Sequence, residues 1–288
     1  MQKKNSGAQI SVVSSKRVKE APLVSVVVTT KNEEKNIKNC LNSIKNQSHK
    51  NIELIIVDNF SEDKTVEIAK RYTSNVYVKG TERSSQRNYG AKIALGEYLI
   101  YLDADMILGP SLIEECVAQC ERDKIDALYL PERIIGNGFW IKVRNFERSF
   151  YTGTPIDAVR FVRRNLFNSV GGFDETLVGP EDWDLDKRIR KIAKTRVNVS
   201  CLYHNEGIFS AKKYLEKKSY YTFGIRKYVE KWGTDDLDIK RQIGFFYRIF
   251  GVFVEKGKLT EILKNPHLAI AMYYLRLRVA IAFLSNRP

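Results

Sequence analysis

The sequence predicts an α/β fold, a parallel sheet covered by helices on both faces, followed by a helical C-terminal region. Three observations predict it. Apolar runs of strand length alternate with helical spacings and short loops as far as Leu102. Acidic residues stand directly after the strand-like runs, as expected where a sheet presents its carboxyl edge to a crevice. From about residue 206 the composition becomes basic and aromatic, and strand signals disappear.

Leu23-Val24-Ser25-Val26-Val27-Val28-Thr29-Thr30 reads as a fully buried, parallel-type strand. Lys31 to Asn46 follows with Ile37, Leu41 and Ile44 at helical spacing. Ile52 to Val57 is the second strand and ends at Asp58. Lys64 to Tyr72 is a helix, Val76-Tyr77-Val78 a short strand, and Ser84 to Leu95 a helix closed by Gly96 in the manner of a C-cap. Glu97 to Leu102 is the fourth strand. Beyond Pro131 the pattern loosens: Gly136-Asn137-Gly138 reads as a turn, Trp140 to Arg148 as a helix and Ala158 to Val162 as a strand. Val197 to Leu202 reads as the last strand, ending near His204. There is no internal repeat or low-complexity tract.

The charge is uneven. Of the net +14, residues 1–20 carry +4 and residues 206–288 carry +8, leaving +2 for residues 21–205. Three regions follow: a mobile basic arm over 1–20, a catalytic domain over 21–205, and a basic helical region over 206–288. Fifteen of the 32 aromatic residues lie between Phe209 and Phe283. Rings mixed with cations suit a membrane interface, where both find a favourable layer. No nucleic-acid motif accompanies them, so a nucleic-acid partner is not expected. Ile243 to Val254 is too short to span a bilayer, and Leu268 to Leu284 carries Arg276 and Arg278 at its centre. Helices lying at the cytoplasmic membrane face, peripheral or monotopic, are therefore favoured over a spanning segment. Cys40, Cys116, Cys120 and Cys201 have neither metal-knuckle nor secreted-type spacing, and the polar N-terminus lacks a secretory h-region.

Two acidic pairs carry the chemistry. Asp103-Ala104-Asp105 follows a strand, where carboxylates can hold a divalent metal or a sugar hydroxyl; Asp105 is the candidate ligand, with His204 as a further group. Mn2+ or Mg2+ is the expected cofactor. Glu181-Asp182 opens a helical run, where it could simply serve the first turn; it could equally supply a general base.

These residues lie in an order that resembles the family 2 glycosyltransferases, nucleotide-sugar-dependent enzymes of the GT-A fold, whose central sheet is Rossmann-like. Val24 to Glu33 is similar to the family's opening strand and nucleotide loop, and Ile55 to Thr65 to its second strand. Gln86-Arg87-Asn88-Tyr89-Gly90-Ala91 leading to Asp103-Ala104-Asp105 resembles its metal-binding segment. Gly171-Gly172-Phe173-Asp174-Glu175 with Glu181-Asp182-Trp183-Asp184-Leu185 resembles its acceptor loop and base motif. Thr29-Thr30 departs from the more usual Pro-containing opening and leaves the base preference open.

The resemblance implies a donor side made by Thr30, Glu33, Asp58, Arg83, Arg87 and Asp103, with Glu33 on the ribose and Asp58 on the nucleobase of a UDP- or GDP-sugar. It implies a metal at Asp105 and His204, Asp182 as the base, and an acceptor side with Glu181, Trp183 and Gly172. Lys227 to Trp232 lacks the Gln and Arg of the Gln-x-x-Arg-Trp motif of processive synthases, so transfer of one sugar, with inversion, is expected. With the basic tail, the expected acceptor is a lipid-linked glycan. The alternatives are a transferase with a soluble or protein acceptor whose tail forms a homodimer, and a nucleotide-sugar-binding protein without turnover.

Overall fold

The computed structural model describes residues 20–285, so the N-terminal arm expected over residues 1–20 lies, but for Glu20, outside the described residues. The chain begins with β1 (Val24–Thr30), α1 (Ile37–Lys45), β2 (Ile52–Asp58), α2 (Thr65–Ala69), β3 (Val76–Val78), α3 (Arg83–Ile93) and β4 (Tyr98–Asp103). It continues with β5 (Met106–Leu108), α4 (Leu112–Asp123), β6 (Ala127–Tyr129), β7 (Glu132–Asn137), α5 (Phe139–Ser149), β8 (Val159–Arg163), α6 (Arg164–Ser169) and α7 (Glu181–Arg190). β9 (Thr195–Val197) and β10 (Leu202–Ile208) precede α8 (Ala211–Trp232), α9 (Leu237–Ile243), α10 (Val252–Val254), α11 (Leu259–Lys264) and α12 (Pro266–Ser285).

The main sheet has the order β3-β2-β1-β4-β8-β6-β9. β1, β2, β3 and β4 are parallel, as their continuous apolar sequences require of strands covered on both faces. Alternate residues of each strand feed two cores. Val26, Val28, Ile100 and Leu102 pack under α1 and α4, whereas Val27, Leu99 and Tyr101 pack against α3, α6 and α7. Cys116 and Cys120 share the buried face of α4, and burial raises both thiols, Cys120 to about 12, so neither is a thiolate at neutral pH.

Two glycines set how closely α3 approaches the sheet. A Cβ on Gly90 would lie 2.3 Å from Val27 Cγ1. Gly90→Ala should therefore cost about 1–3 kcal/mol of overpacking, offset by at most ~1 kcal/mol of helix propensity, read as a lower urea midpoint at unchanged m. Gly96 does not act as the expected left-handed C-cap. Ala94, at the helix end, is extended, and a Cβ on Gly96 would lie 2.6 Å from the backbone nitrogen of Ser25. Its role is close approach to β1.

The sheet is mixed rather than wholly parallel, because β8 runs antiparallel to both β4 and β6. A second sheet, β5-β10-β7, lies beside it. The strand expected over Val197 to Leu202 is two strands, with His204 inside β10 and not after it. The turn expected at Gly136 to Gly138 is instead the end of β7, and the boundary at residue 205 falls within β10. In the C-terminal region the stretch Ile243 to Val254 is not one helix: α9 ends at Ile243, Gly244 is extended, and a π-helical turn over Tyr247–Gly251 precedes α10. Among the described residues no helix is long and apolar enough to cross a membrane. α12 packs on α5 through Met272 and Leu275, against Val143, Phe150 and Phe253.

Candidate active site

The parallel register aligns the carboxyl ends of three strands, with Thr30 opposite Asp58 and Thr29 opposite Asp103. Strand order reverses between β1 and β4, where open α/β sheets form their binding crevice. A cleft of about 350 Å³ opens there, lined among others by Thr30, Lys31, Glu33, Arg83, Asp103 and Asp105. Gln86 fixes its floor by donating to the carbonyls of both Thr30 and Val57, at 3.1 and 2.6 Å, which ties β1 to β2. The Thr30 hydroxyl is buried without a hydrogen-bond partner. Burial raises Glu33, which also accepts from Asn36 at 2.8 Å.

Asp182 joins this cleft through Arg87. The Arg87 guanidinium is 1% exposed and donates to Asp103 Oδ1 and Asp182 Oδ1, each at 2.9 Å. Arg83, at the mouth, lies 3.6 Å from Asp103 and 3.7 Å from Glu181. Although burial opposes it, Arg87 and Arg83 hold the Asp103 carboxyl well below the usual carboxylate range. Burial raises Glu181, and the neighbouring Asp182 adds to that rise. α7 starts at Glu181 with Pro180 in the capping position and no side-chain capping bond. The acidic pair lies in the first turn of the helix, with Glu181 near Arg83 and Asp182 on Arg87. Asp182, 26% exposed with one oxygen on Arg87, is oriented yet accessible.

His204 sits between two carboxylates, with Nε2 2.9 Å from Asp105 Oδ2 and Nδ1 2.9 Å from Glu132 Oε1. Burial alone would lower its pKa, but these two hydrogen bonds push it up to about 10. Glu132 is in turn held by Arg148 at 2.8 Å, with Arg160 3.7 Å away. Among the described residues no group of three His, Cys, Asp or Glu side chains forms a ready metal site. The donor types nevertheless fit a divalent ion. Asp105 Oδ1 is buried without a hydrogen-bond partner, and a hard cation prefers such a carboxylate oxygen. With Nδ1 committed to Glu132, His204 has Nε2 available for a metal once its proton leaves.

Other expected residues lie elsewhere. Asp58 is 1% exposed and accepts from both the backbone nitrogen and the hydroxyl of Ser61, so it shapes the loop; its neighbour Asn59 lines the cleft. Arg87 is beneath the cleft while Arg83 lines it. Gly172, at φ +66°, packs against Asn88, which bridges the Phe173 backbone, so the glycine loop anchors to α3. Trp183 donates to the Ile156 carbonyl at 2.8 Å and packs near Tyr228. Trp232 donates to Asp184 at 2.9 Å, tying α8 to α7. Sequence reasoning missed Glu132 and Arg160. A lone Glu after Pro131 and an Arg within a strand give no local signal of a shared ion network.

The family model described as Glycosyl transferase family 2 matches residues 25–173, just over half of the 288-residue chain. The chain belongs to that family. Similar curated proteins include the beta-monoglucosyldiacylglycerol synthase of Trichormus variabilis, 27% identical over 256 residues, which cover 77% of this chain and 53% of that protein. The chondroitin synthase of Escherichia coli is 24% identical over 243 residues, covering 75% of this chain and 35% of that protein. The chain thus spans about a third to a half of the length of these curated relatives. Among solved structures, the mannosyltransferase PcManGT from Pyrobaculum calidifontis, in complex with GDP-Man and Mn2+, superimposes with a TM-score of 0.60 at 17% identity, covering 93% and 86% of the two chains. S. aureus TarS 1-349 with UDP-GlcNAc gives 0.54 at 21%, covering 92% and 90%. These likenesses establish the shared GT-A-like fold.

Proposed function

We propose that this family 2 protein transfers one sugar from a nucleoside-diphosphate sugar to a hydroxyl of a lipid-linked acceptor at the cytoplasmic face of a membrane, with inversion. The observation that carries the reading is that Asp103 and Asp105 line one cleft while the buried Arg87 joins Asp103 to Asp182 beside it. Residues far apart in the chain thereby lie side by side, which supports acidic groups for a donor in the cleft and a base for an acceptor next to it. Similar proteins support it: two solved neighbours hold GDP-Man or UDP-GlcNAc, and one relative is a beta-monoglucosyldiacylglycerol synthase.

In this reading Asp182 takes the acceptor hydroxyl's proton on the oxygen not engaged by Arg87, as the alkoxide attacks the anomeric carbon from the face opposite the leaving diphosphate. Arg83 and Lys31, in the cleft wall, offer positive charge to the diphosphate, and Glu33 and Asp103 offer acceptors to ribose or donor-sugar hydroxyls. A divalent ion held by Asp105 and His204 would neutralise charge that grows on the leaving group. Glu132 keeps the His204 ring in register, and the buried Arg160 balances the acidic network between Glu132 and Asp182.

A thermal-shift screen of UDP- and GDP-sugars with Mn2+ or Mg2+ tests this. One nucleotide sugar should raise Tm in a metal-dependent way, and Asp105→Asn should abolish the metal-dependent part. An Asp105→Asn variant that retains the full metal-dependent shift would remove Asp105 from the metal site. No shift with any nucleotide sugar would remove the donor reading.

A further inference from the structure

Apart from the cleft, an apolar surface is built where the first turn of α5, the end of β10 and α12 meet. Trp140 is at its centre, with ring centroids 5.5 Å from Phe139, 6.0 Å from Phe209 and 6.2 Å from Tyr274. Trp140, Phe209, Leu215 and Tyr274 line a groove of about 130 Å³ with Arg278 at its edge. Around it the apolar surface continues outward. Ile208 is 84% exposed, and on α12 Ile270, Tyr274 and Leu277 are 72%, 49% and 58% exposed.

Those three residues are four and three positions apart, so they form one stripe along the helix. The inward stripe of the same helix, Ala269, Met272 and Leu275, is buried. α12 is thus apolar on both faces, whereas a helix on a water-facing surface carries polar residues outside. A contiguous exposed patch of this kind marks an interaction surface. The exposed charges beside the groove-lining residues are basic at Lys142, Lys212, Lys213 and Arg278 and acidic at Glu216.

We propose that this face rests on an anionic lipid bilayer, with α12 lying along the interface and the ring-lined groove taking an apolar chain segment of a lipid. It deepens the membrane reading above, on which it rests, by naming the surface. The chemistry favours lipid over a second copy of the chain: an isologous contact would set the same cationic rim against itself. Trp and Tyr rings with cations that can snorkel fit the boundary between headgroup and acyl chain. α12 lies along the bilayer and does not cross it, because its Arg276 is buried against Glu147 at 2.7 Å and is not free to face lipid.

Flotation of the full chain with phosphatidylcholine vesicles, with and without phosphatidylglycerol, tests the proposal. The wild type should float with the anionic vesicles, and the double variant Ile270→Glu/Leu277→Glu should lose about tenfold or more of that binding. Both substitutions are at exposed positions outside the cleft, so the melting temperature and the nucleotide-sugar thermal shift should stay unchanged. Quenching of tryptophan fluorescence by brominated lipid should fall in Trp140→Phe. If wild type and double variant float equally, this face is wrong while the membrane reading stands. If the wild type does not float at all, both fall. Loss of a dimer in sedimentation by the double variant, without vesicle binding by the wild type, would make the face a contact between copies and overturn the lipid assignment.

Discussion

Replacing Asp182 by Asn should lower kcat by about 10²–10⁴-fold, the usual contribution of a positioned general base, with little change in donor binding. The geometry explains why the effect should fall on turnover. Asp182 is outside the set of residues that line the donor cleft, and its Oδ1 is already fixed by Arg87. An amide keeps the shape of the side chain but cannot take a proton from an acceptor hydroxyl. The nucleotide-sugar thermal shift should therefore survive in Asp182→Asn. Near wild-type transfer by the variant would remove Asp182 as the base and direct attention to Glu181, whose carboxyl is buried and raised. Asp103→Asn provides the contrast: it should weaken donor binding, because Asp103 lines the cleft beside Arg83.

The parts of the fold that could be read from the sequence are those where one strand or helix carries its own signal. β1, β2 and β4 are buried on both faces, so their apolar runs needed no knowledge of neighbours. The carboxylates at the strand ends could be read for the same reason, because position after a buried run implies an edge. β5, β7 and β10 were harder. Each is short or half-polar, and their sheet depends on pairings between segments nearly a hundred residues apart, such as His204 with Met106. That long-range pairing is also what brings His204 onto Asp105 and Glu132, so Glu132 could not be recognised from its own surroundings. Gly96 illustrates the opposite error. A glycine after a helix suggests a left-handed cap, but here the cause is the backbone of Ser25 pressing on it, a contact invisible in local sequence. The sequence places Arg87 near the nucleotide; its burial reflects the pairing of its guanidinium with Asp103 at the end of β4 and Asp182 on α7, two partners distant in sequence.

That burial gives Arg87 the largest expected effect on stability. In Arg87→Met, Asp103 and Asp182 lose their hydrogen-bonded cation, and Glu181 loses a positive charge 4.0 Å away. Removing one partner of a buried ion pair costs about 3–5 kcal/mol; because Asp103 and Asp182 are partly exposed, the lower end, about 3 kcal/mol, applies here. At about 2–4 °C per kcal/mol for a chain approaching this size, Tm should fall by roughly 6–12 °C at pH 7. The pH dependence has a definite sign. Asp103 is depressed in the folded wild type, so its stabilisation is present above its unfolded pKa, near 3.9, and is lost as pH falls toward the folded value. In the variant the same carboxylates repel one another, and protonation relieves the repulsion. The gap between wild type and Arg87→Met should therefore narrow as pH falls from 7 to about 4. Arg87→Lys should lie between the two, since one ammonium cannot donate to two carboxylates with the fixed fork of a guanidinium. A melting curve for Arg87→Met within 2 °C or so of wild type at pH 7 would mean that solvent, and not Arg87, balances these acids. The link between the donor side and the base would then have to be sought in Arg83 and Arg160.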